Sequence, residues 1–221
     1  MINELIFIAQ IIGLSLATLG MLKIGPSALV AFISACGILA NLFVLKQTSL
    51  FGFNATCADA FTIGATLGLN LLQEYHGREI TKSAIGINFA LLALYTIFSQ
   101  LHLLFTPSIH DTMHPHFAAL LQVAPRIVAA SALVYLIAQL VDYSVFGALK
   151  KVTSRHLVAR SYSSMLISQL VDTILFSFLG LYGIVDDIWQ IIIISYTIKV
   201  VAIAIASPFV RLSKAIALQK R

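Results

Sequence analysis

Carboxylates, amides and one ammonium interrupt otherwise apolar stretches of this sequence. Asp59, Asn70 and Glu74 fall in one stretch, Gln139 and Asp142 in a second, Gln169 and Asp172 in a third, and Lys199 in a fourth. Carboxylates beside amides can receive and donate along the hydrogen-bonding edge of a heterocycle, or act as an acid–base couple. Tyr135 and Tyr196, with Tyr143 and Phe176, supply aromatic faces on which a flat ring can stack; such stacking is worth about 1–3 kcal/mol per base. A lone ammonium inside an apolar run needs a carboxylate partner, and Asp172 is the first candidate for Lys199.

Helical spacing orders these groups. Asp59 and Asn70 are eleven residues apart, about three turns, so they share a face. Asp59, Ile63, Thr66, Asn70 and Glu74 make one stripe; Ala60, Gly64 and Gly68 make a small-residue stripe beside it. Small residues let helix backbones approach closely. A helix used on two faces is expected at the centre of the bundle. Gln139-Leu-Val-Asp142 and Gln169-Leu-Val-Asp172 form a short repeat, followed by Phe146 and Phe176 at matching distances. Within each copy Gln and Asp lie on one face. The two segments run in opposite directions, so Gln139 and Gln169 are expected to face each other across a cavity. The plainer alternative for all these groups is interhelical hydrogen bonding, worth about 1 kcal/mol per contact. Glu74 reads equally as a residue at the water boundary, and Asp142 as lying near the inner surface.

The elements that must position them are membrane helices. The chain has 221 residues, of which 59% are apolar and only 10% charged; a soluble domain has about 25% charged residues. Mean hydropathy is +0.95. These values exclude a soluble enzyme, a disordered chain and, with only Cys36 and Cys57, a disulfide scaffold. A single polytopic domain, all-α, is expected, with seven apolar runs near residues 5–22, 27–45, 54–73, 83–105, 126–149, 162–182 and 189–210. A helix crosses the hydrocarbon in about 20 residues. No positive segment leads the first run, which reads as a retained helix; without it a six-span core remains. Pro208 is expected to kink the last helix or end it early.

With the C-terminus inside, eleven basic residues lie on the inner side (Lys23, Arg78, Lys82, Lys150, Lys151, Arg155, Arg160, Arg211, Lys214, Lys220 and Arg221) and two, Lys46 and Arg126, on the outer. That bias predicts a cytoplasmic C-terminus. The net charge of +5 is thus a membrane signature and points to no nucleic acid partner. His110, Asp111, His114 and His116 in the loop after the fourth run fit no defined metal motif and read as solvated. The two cysteines read as small packing residues inside spans two and three.

No P-loop, HExxH, GxGxxG or nucleophile elbow occurs, so no cofactor or metal is expected. Any energy coupling must come from an ion gradient or from a separate ATPase module. The residues suit an importer of a small polar heterocycle. The alternatives are a binding subunit of a multi-component system, an intramembrane enzyme using Asp142 and Asp172, or a structural bundle.

Several motifs carry a resemblance. Ala40-Asn41 through Lys46, Phe51-Gly52, Asn70-Leu-Leu-Gln-Glu74-Tyr75-His-Gly77, Arg126, the Gln139–Asp142 block, Ser168 through Thr173, Lys199 and Pro208-Phe209 recur in order. The chain resembles the queuosine precursor transporter family, also described as a vitamin-uptake type. The resemblance implies inner-membrane import of 7-deazaguanine bases, the pre-queuosine bases or queuine, by a six-helix core. Family patterns usually place an aspartate where Asn70 stands and often an amide near Asp59; here the two are exchanged along one face.

Overall fold

The computed structural model describes residues 2–44, 46–121, 125–153, 156–183 and 188–218. The order is α1 (Ile2–Ile24), α2 (Pro26–Phe43), a hairpin of β1 (Gln47–Leu50) and β2 (Phe53–Thr56), α3 (Asp59–His76), α4 (Arg78–Leu103), α5 (His114–Leu121), α6 (Pro125–Val152), α7 (Leu157–Phe176) and α8 (Ile188–Leu218). A five-residue π-helical turn, Ser177–Leu181, continues α7. Fold class is all-helical, as expected, apart from the hairpin. Side chains of 126–128 lie outside the described residues, as do Arg155, Lys220 and Arg221, so Arg126 and those three charges carry no structural statement.

Six helices are long and apolar enough to cross a membrane: α1, α2, α4, α6, α7 with its π turn, and α8. The third expected span is the exception. Its helix starts at Asp59 rather than near 54, because residues 53–56 pair as β2. α3 is too polar to meet lipid, and it does not meet lipid. Every residue from Asp59 to Gln73 is buried, because α1, α2, α4, α6, α7 and α8 all pack around it. The six apolar helices therefore include α1 and leave out α3.

The small-residue stripe explains the tight wrapping. A Cβ on Gly68 would stand 3.0 Å from Ile33 Cγ1 of α2, and one on Gly64 would stand 3.3 Å from Leu14 Cβ of α1. At the far end Gly77, with φ of 90°, is the single residue between α3 and α4. Glycine adopts that left-handed backbone without strain. The large exposed apolar residues concentrate on α1 and α4 (Leu5, Ile6, Ile87, Leu94, Phe98 and others), which is the outer surface that hydrocarbon would cover.

The hairpin was not expected from the sequence. Leu50 pairs with Phe53 across a two-residue turn, in which Phe51 and Gly52 both have positive φ, 54° and 85°. That is the primed-turn geometry favoured by twisted hairpins. Asn3 Nδ2 donates to Ser49 O at 3.1 Å, and Phe51 N donates to Glu4 Oε1 at 3.0 Å, tying the hairpin to the start of α1. Cys57 follows β2 and lies outside any helix, against the expectation; Cys36 is buried in α2. α8 runs through Pro208 for ten further residues, so the proline does not end it. Asp111 Oδ1 accepts from the amides of Met113 and His114 (2.8 and 3.1 Å) and caps α5.

Gly68→Val should destabilise the protein by about 1–3 kcal/mol, the usual cost of overpacking, while Gly86→Val on α4, where nothing lies within 4 Å, should cost less. Thermal unfolding of both variants in detergent checks this. Equal losses would mean that α3 is not pressed against α2.

Candidate functional site

Asp59 begins α3 just after the hairpin, Asp172 stands five residues before the start of the π turn of α7, and Lys199 lies in the first half of α8. Tertiary packing brings the three together. Lys199 Nζ is 2.5 Å from Asp172 Oδ2 and 3.9 Å from Asp59 Oδ1. All three line a cavity of about 340 Å³, within the roughly 300–1,000 Å³ of small-molecule pockets. Asn41 of α2 and Ser131 and Tyr135 of α6 line the same cavity. Ser131 Oγ donates to Asn41 Oδ1 at 2.8 Å. Phe176, Ser177 and Leu181, where α7 widens into its π turn, and Thr56 of β2 also line the cavity. Such π turns re-aim side chains and often sit at functional sites.

The charge balance of this cavity is uneven. Two carboxylates stand with one ammonium, and among the described residues no other lining residue is charged. Asp172 holds the short contact to Lys199, and Asp59 is left as an acceptor with a more distant counter-ion. The first turn of α3 favours an anion there, because its backbone N–H groups point toward that end.

Farther along α3 the polar groups are sealed. Eleven residues past Asp59, roughly 16 Å along the helix, Asn70 Nδ2 donates to Ser161 Oγ (3.1 Å) and Ser164 Oγ (3.2 Å) of α7. Asp142 of α6 is completely buried here. Ser164, Asn70 and Ser168 face its carboxylate, yet neither oxygen completes a hydrogen bond. Gln139 and Gln169 do not face each other. Asn88 Nδ2 of α4 donates to Gln139 Oε1 (3.1 Å), and Gln169 Nε2 donates to Thr66 Oγ1 of α3 (3.4 Å). α3 and α4 supply the partners that spacing along α6 and α7 could not reveal.

At the far end of α3 an ionic lock closes the bundle. Arg160 Nη2 meets Glu74 Oε1 at 2.9 Å, and Lys150 Nζ meets Glu74 Oε2 at 2.9 Å. Lys150 also donates to the Glu74 carbonyl at 3.1 Å. Arg160 is buried and its guanidinium lies 5.3 Å from the Phe146 ring. Tyr75 and Ser213 share a 2.9 Å hydrogen bond that ties α3 to α8. The ends of α3, α6 and α7 are thereby held together.

Of the residues singled out in the sequence, Asp59, Tyr135, Asp172 and Lys199 line the cavity. Asn70, Gln139, Asp142 and Gln169 form the sealed layer, and Glu74 belongs to the lock. Asp142 is thus buried within the bundle. The Tyr196 hydroxyl donates to the Leu166 carbonyl at 3.2 Å and stays out of the cavity lining. Sequence reasoning passed over Asn41 and Ser131 as a pair, Asn88, and Arg160. Asn88 had a signal, an amide inside the apolar run of α4. Arg160 counted only as a loop charge, because its apolar run starts two residues later.

A family model described as "Putative vitamin uptake transporter" matches residues 60–213. A protein of Bacillus subtilis (strain 168) named "Probable queuosine precursor transporter" is 30% identical over 198 residues, 87% of this chain and 84% of the relative. No solved structure matches the chain.

The lock separates two energies. Glu74→Ala strands the buried Arg160 guanidinium and should cost about 3–5 kcal/mol, the penalty for breaking a buried pair. Lys150 is 37% exposed, so Lys150→Ala should cost about 1 kcal/mol or less. Unfolding temperatures in detergent give the comparison; equal losses would place Arg160 in water, not in the bundle.

Proposed function

The chain belongs to the vitamin uptake transporter family, a multi-pass membrane transporter, and from that premise we propose that it imports 7-deazaguanine precursors of queuosine through the cavity around Asp59, Asp172 and Lys199. The observation that carries this reading is the pairing of one lysine with two carboxylates beside Tyr135 and Phe176. A guanine-like ring presents two adjacent N–H groups, and a carboxylate accepts both in the bidentate, charge-assisted manner that gives strong, oriented hydrogen bonds. Asp59, the acid less engaged by Lys199, is the group for this contact. Asp172 and Lys199 hold each other in place and offer the ring carbonyl a donor. Asn41 and Ser131 reach the remaining edge, and Phe176 or Tyr135 stacks on a ring face.

The surplus negative charge adds a preference within the class. A base bearing an aminomethyl cation restores neutrality in the cavity; a nitrile-bearing base does not. The cationic precursor is therefore the better ligand. In this reading the protein sits in the cytoplasmic membrane, the inner membrane where there are two. The hairpin end faces outward and the Glu74 lock and C-terminus face the cytoplasm, following the basic residues of that end. The structure then represents an outward-facing form, with the cavity at the outer end and the lock closed.

Uptake of labelled bases into proteoliposomes holding only this protein is the test. Asp59→Asn should weaken binding of the aminomethyl base about ten- to a hundredfold, the loss of a hydrogen bond to a charged group at about 1.5–3 kcal/mol, and should narrow its advantage over the nitrile base. Absence of base binding by well-folded protein would reject the reading. Binding without transport until an ATPase module is supplied would make the chain a subunit of a larger importer.

A further inference from the structure

Three residues of α6 lie in one line. Tyr135, Gln139 and Asp142 stand at positions i, i+4 and i+7, the spacing of a single helix face. The line starts in the cavity lining with Tyr135 and ends in the sealed layer with Asp142. All three are buried. Each carries polar atoms that close no hydrogen bond of full geometry, the Tyr135 hydroxyl, Gln139 Nε2 and both Asp142 oxygens, although Asn88 and Gln139 lie within reach of Tyr135, and Ser164, Asn70 and Ser168 within reach of Asp142. Asn88 Oδ1, 2.6 Å from where a Cβ on Gly37 would be, is a fourth. Buried polar groups normally find partners. A run of unpartnered ones leading from a cavity to a carboxylate needs an explanation.

From this arrangement we propose that Asp142 is a proton-coupling site. It takes one proton from the outer water by way of Tyr135 and Gln139, and releases it to the cytoplasm when the Glu74 lock opens. An ionised carboxylate cannot stay isolated in an apolar interior; it neutralises or finds a cation. Among the described residues no cation pairs with Asp142: the nearby Arg78 lies over the Tyr143 ring and donates to its hydroxyl at 3.2 Å. On α7, Ser164 and Ser168 face Asp142, and Arg160, one turn before Ser164, gives its Nη2 to Glu74 and keeps Nε and Nη1 without a partner. On α3 the facing group is Asn70, and Glu74, one turn on, is held by Arg160 and Lys150. α4 presents the neutral Asn88. Lys150, two turns along α6, is on Glu74, and Lys199 is on Asp172. A metal cation is a poorer occupant than a proton. Asn70 sets its N–H groups against Ser161 and Ser164 and accepts from Ser164 Oγ at 3.5 Å, and among the described residues no cluster of three metal-ligating side chains lies here, whereas hard cations take about six or more oxygens.

The inference rests on the import reading for its role but not for its existence. In the cycle one O–H bond forms on an Asp142 oxygen as outer water gives up a proton, and that bond breaks when inner water receives it. No other group changes. Opening of the lock parts α3 from α6 and α7 and admits water to Asp142 from the cytoplasmic end.

Two measurements decide it. In proteoliposomes with the interior about one pH unit more alkaline, coupling to one proton supports about tenfold accumulation of labelled aminomethyl-7-deazaguanine, since one unit is about 1.4 kcal/mol. Asp142→Asn should abolish that accumulation and still exchange base for base, and Asp142→Glu should restore the response. The second measurement needs no substrate: infrared spectra of purified protein should contain a protonated-carboxyl carbonyl band that D142N lacks and D142E retains. Accumulation by D142N equal to wild type, accumulation driven by a sodium gradient alone, or identical infrared spectra for wild type and D142N would each overturn the proposal. If the wild type binds no 7-deazaguanine base while the band still depends on Asp142, the substrate assignment fails and the proton site stands.

Discussion

Hydrocarbon does not solvate polar groups, and α3 carries too many of them to touch it. That constraint organises the molecule. Asp59, Thr62, Thr66, Asn70 and Gln73 all lie on a helix whose first fifteen residues are buried. The remaining long helices are arranged so that their own polar faces meet α3 and their apolar faces turn outward. Glycines at 64 and 68 allow α1 and α2 to close on one side, while α6, α7 and α8 bring serines, amides and charges to the other. In lipid there is no hydrophobic drive between apolar helices, so close packing and interhelical hydrogen bonds must hold the bundle. α3 supplies both along its length.

The polar groups so collected are unlike from end to end. Near the hairpin they surround a void. In the middle they are packed without one, and several stay unpartnered. At the far end they form a closed ion network around Glu74. A protein selected for stability alone would fill the first and replace the second, since well-packed apolar residues serve at least as well as buried charges. The graded arrangement instead fits a path with one end open and one shut. The lock is built so that a modest rearrangement releases it, because each of Arg160 and Lys150 makes its ion pair to the same single carboxylate.

What was legible in the sequence followed from chemistry that admits few solutions. A lysine inside an apolar helix needs an acid, and Asp172 supplied it. A small-residue stripe beside a polar stripe needs neighbours on two faces, and α3 sits at the centre. Long apolar runs gave the helices to within a few residues. What was not legible depended on partners in other helices. Gln139 and Gln169 belong to the same sequence repeat yet hydrogen-bond α4 and α3, respectively, which no spacing along α6 and α7 encodes. The hairpin escaped because Phe51 occupies a turn position that favours glycine or asparagine; its place is fixed by contacts with Asn3 and Glu4. Arg160 looked like a boundary charge because the residue that buries it, Glu74, lies 86 positions away.

The cavity's charge count bears on why the two ends must communicate. Among the described lining residues Asp59 and Asp172 stand against Lys199 alone, so with both acids ionised the cavity carries one excess negative charge in a setting of low dielectric, where charge interactions are strong. A cationic ligand removes that excess; its departure restores it. The field along α6, whose Tyr135 lies in the same cavity wall, changes with occupancy, and so does the ease with which a proton moves toward Asp142. By charge alone a bound cation disfavours a proton on Asp142, so in the proposed cycle the coupling of the two comes from opening of the Glu74 lock. The Asp59–Asn70 exchange along α3 matters for the same reason: a carboxylate at position 70 would place a second acid beside Asp142, and an amide at 59 would leave the cavity neutral. The placement found here keeps the excess charge with the ligand and leaves Asp142 as the only carboxylate among the sealed layer's residues.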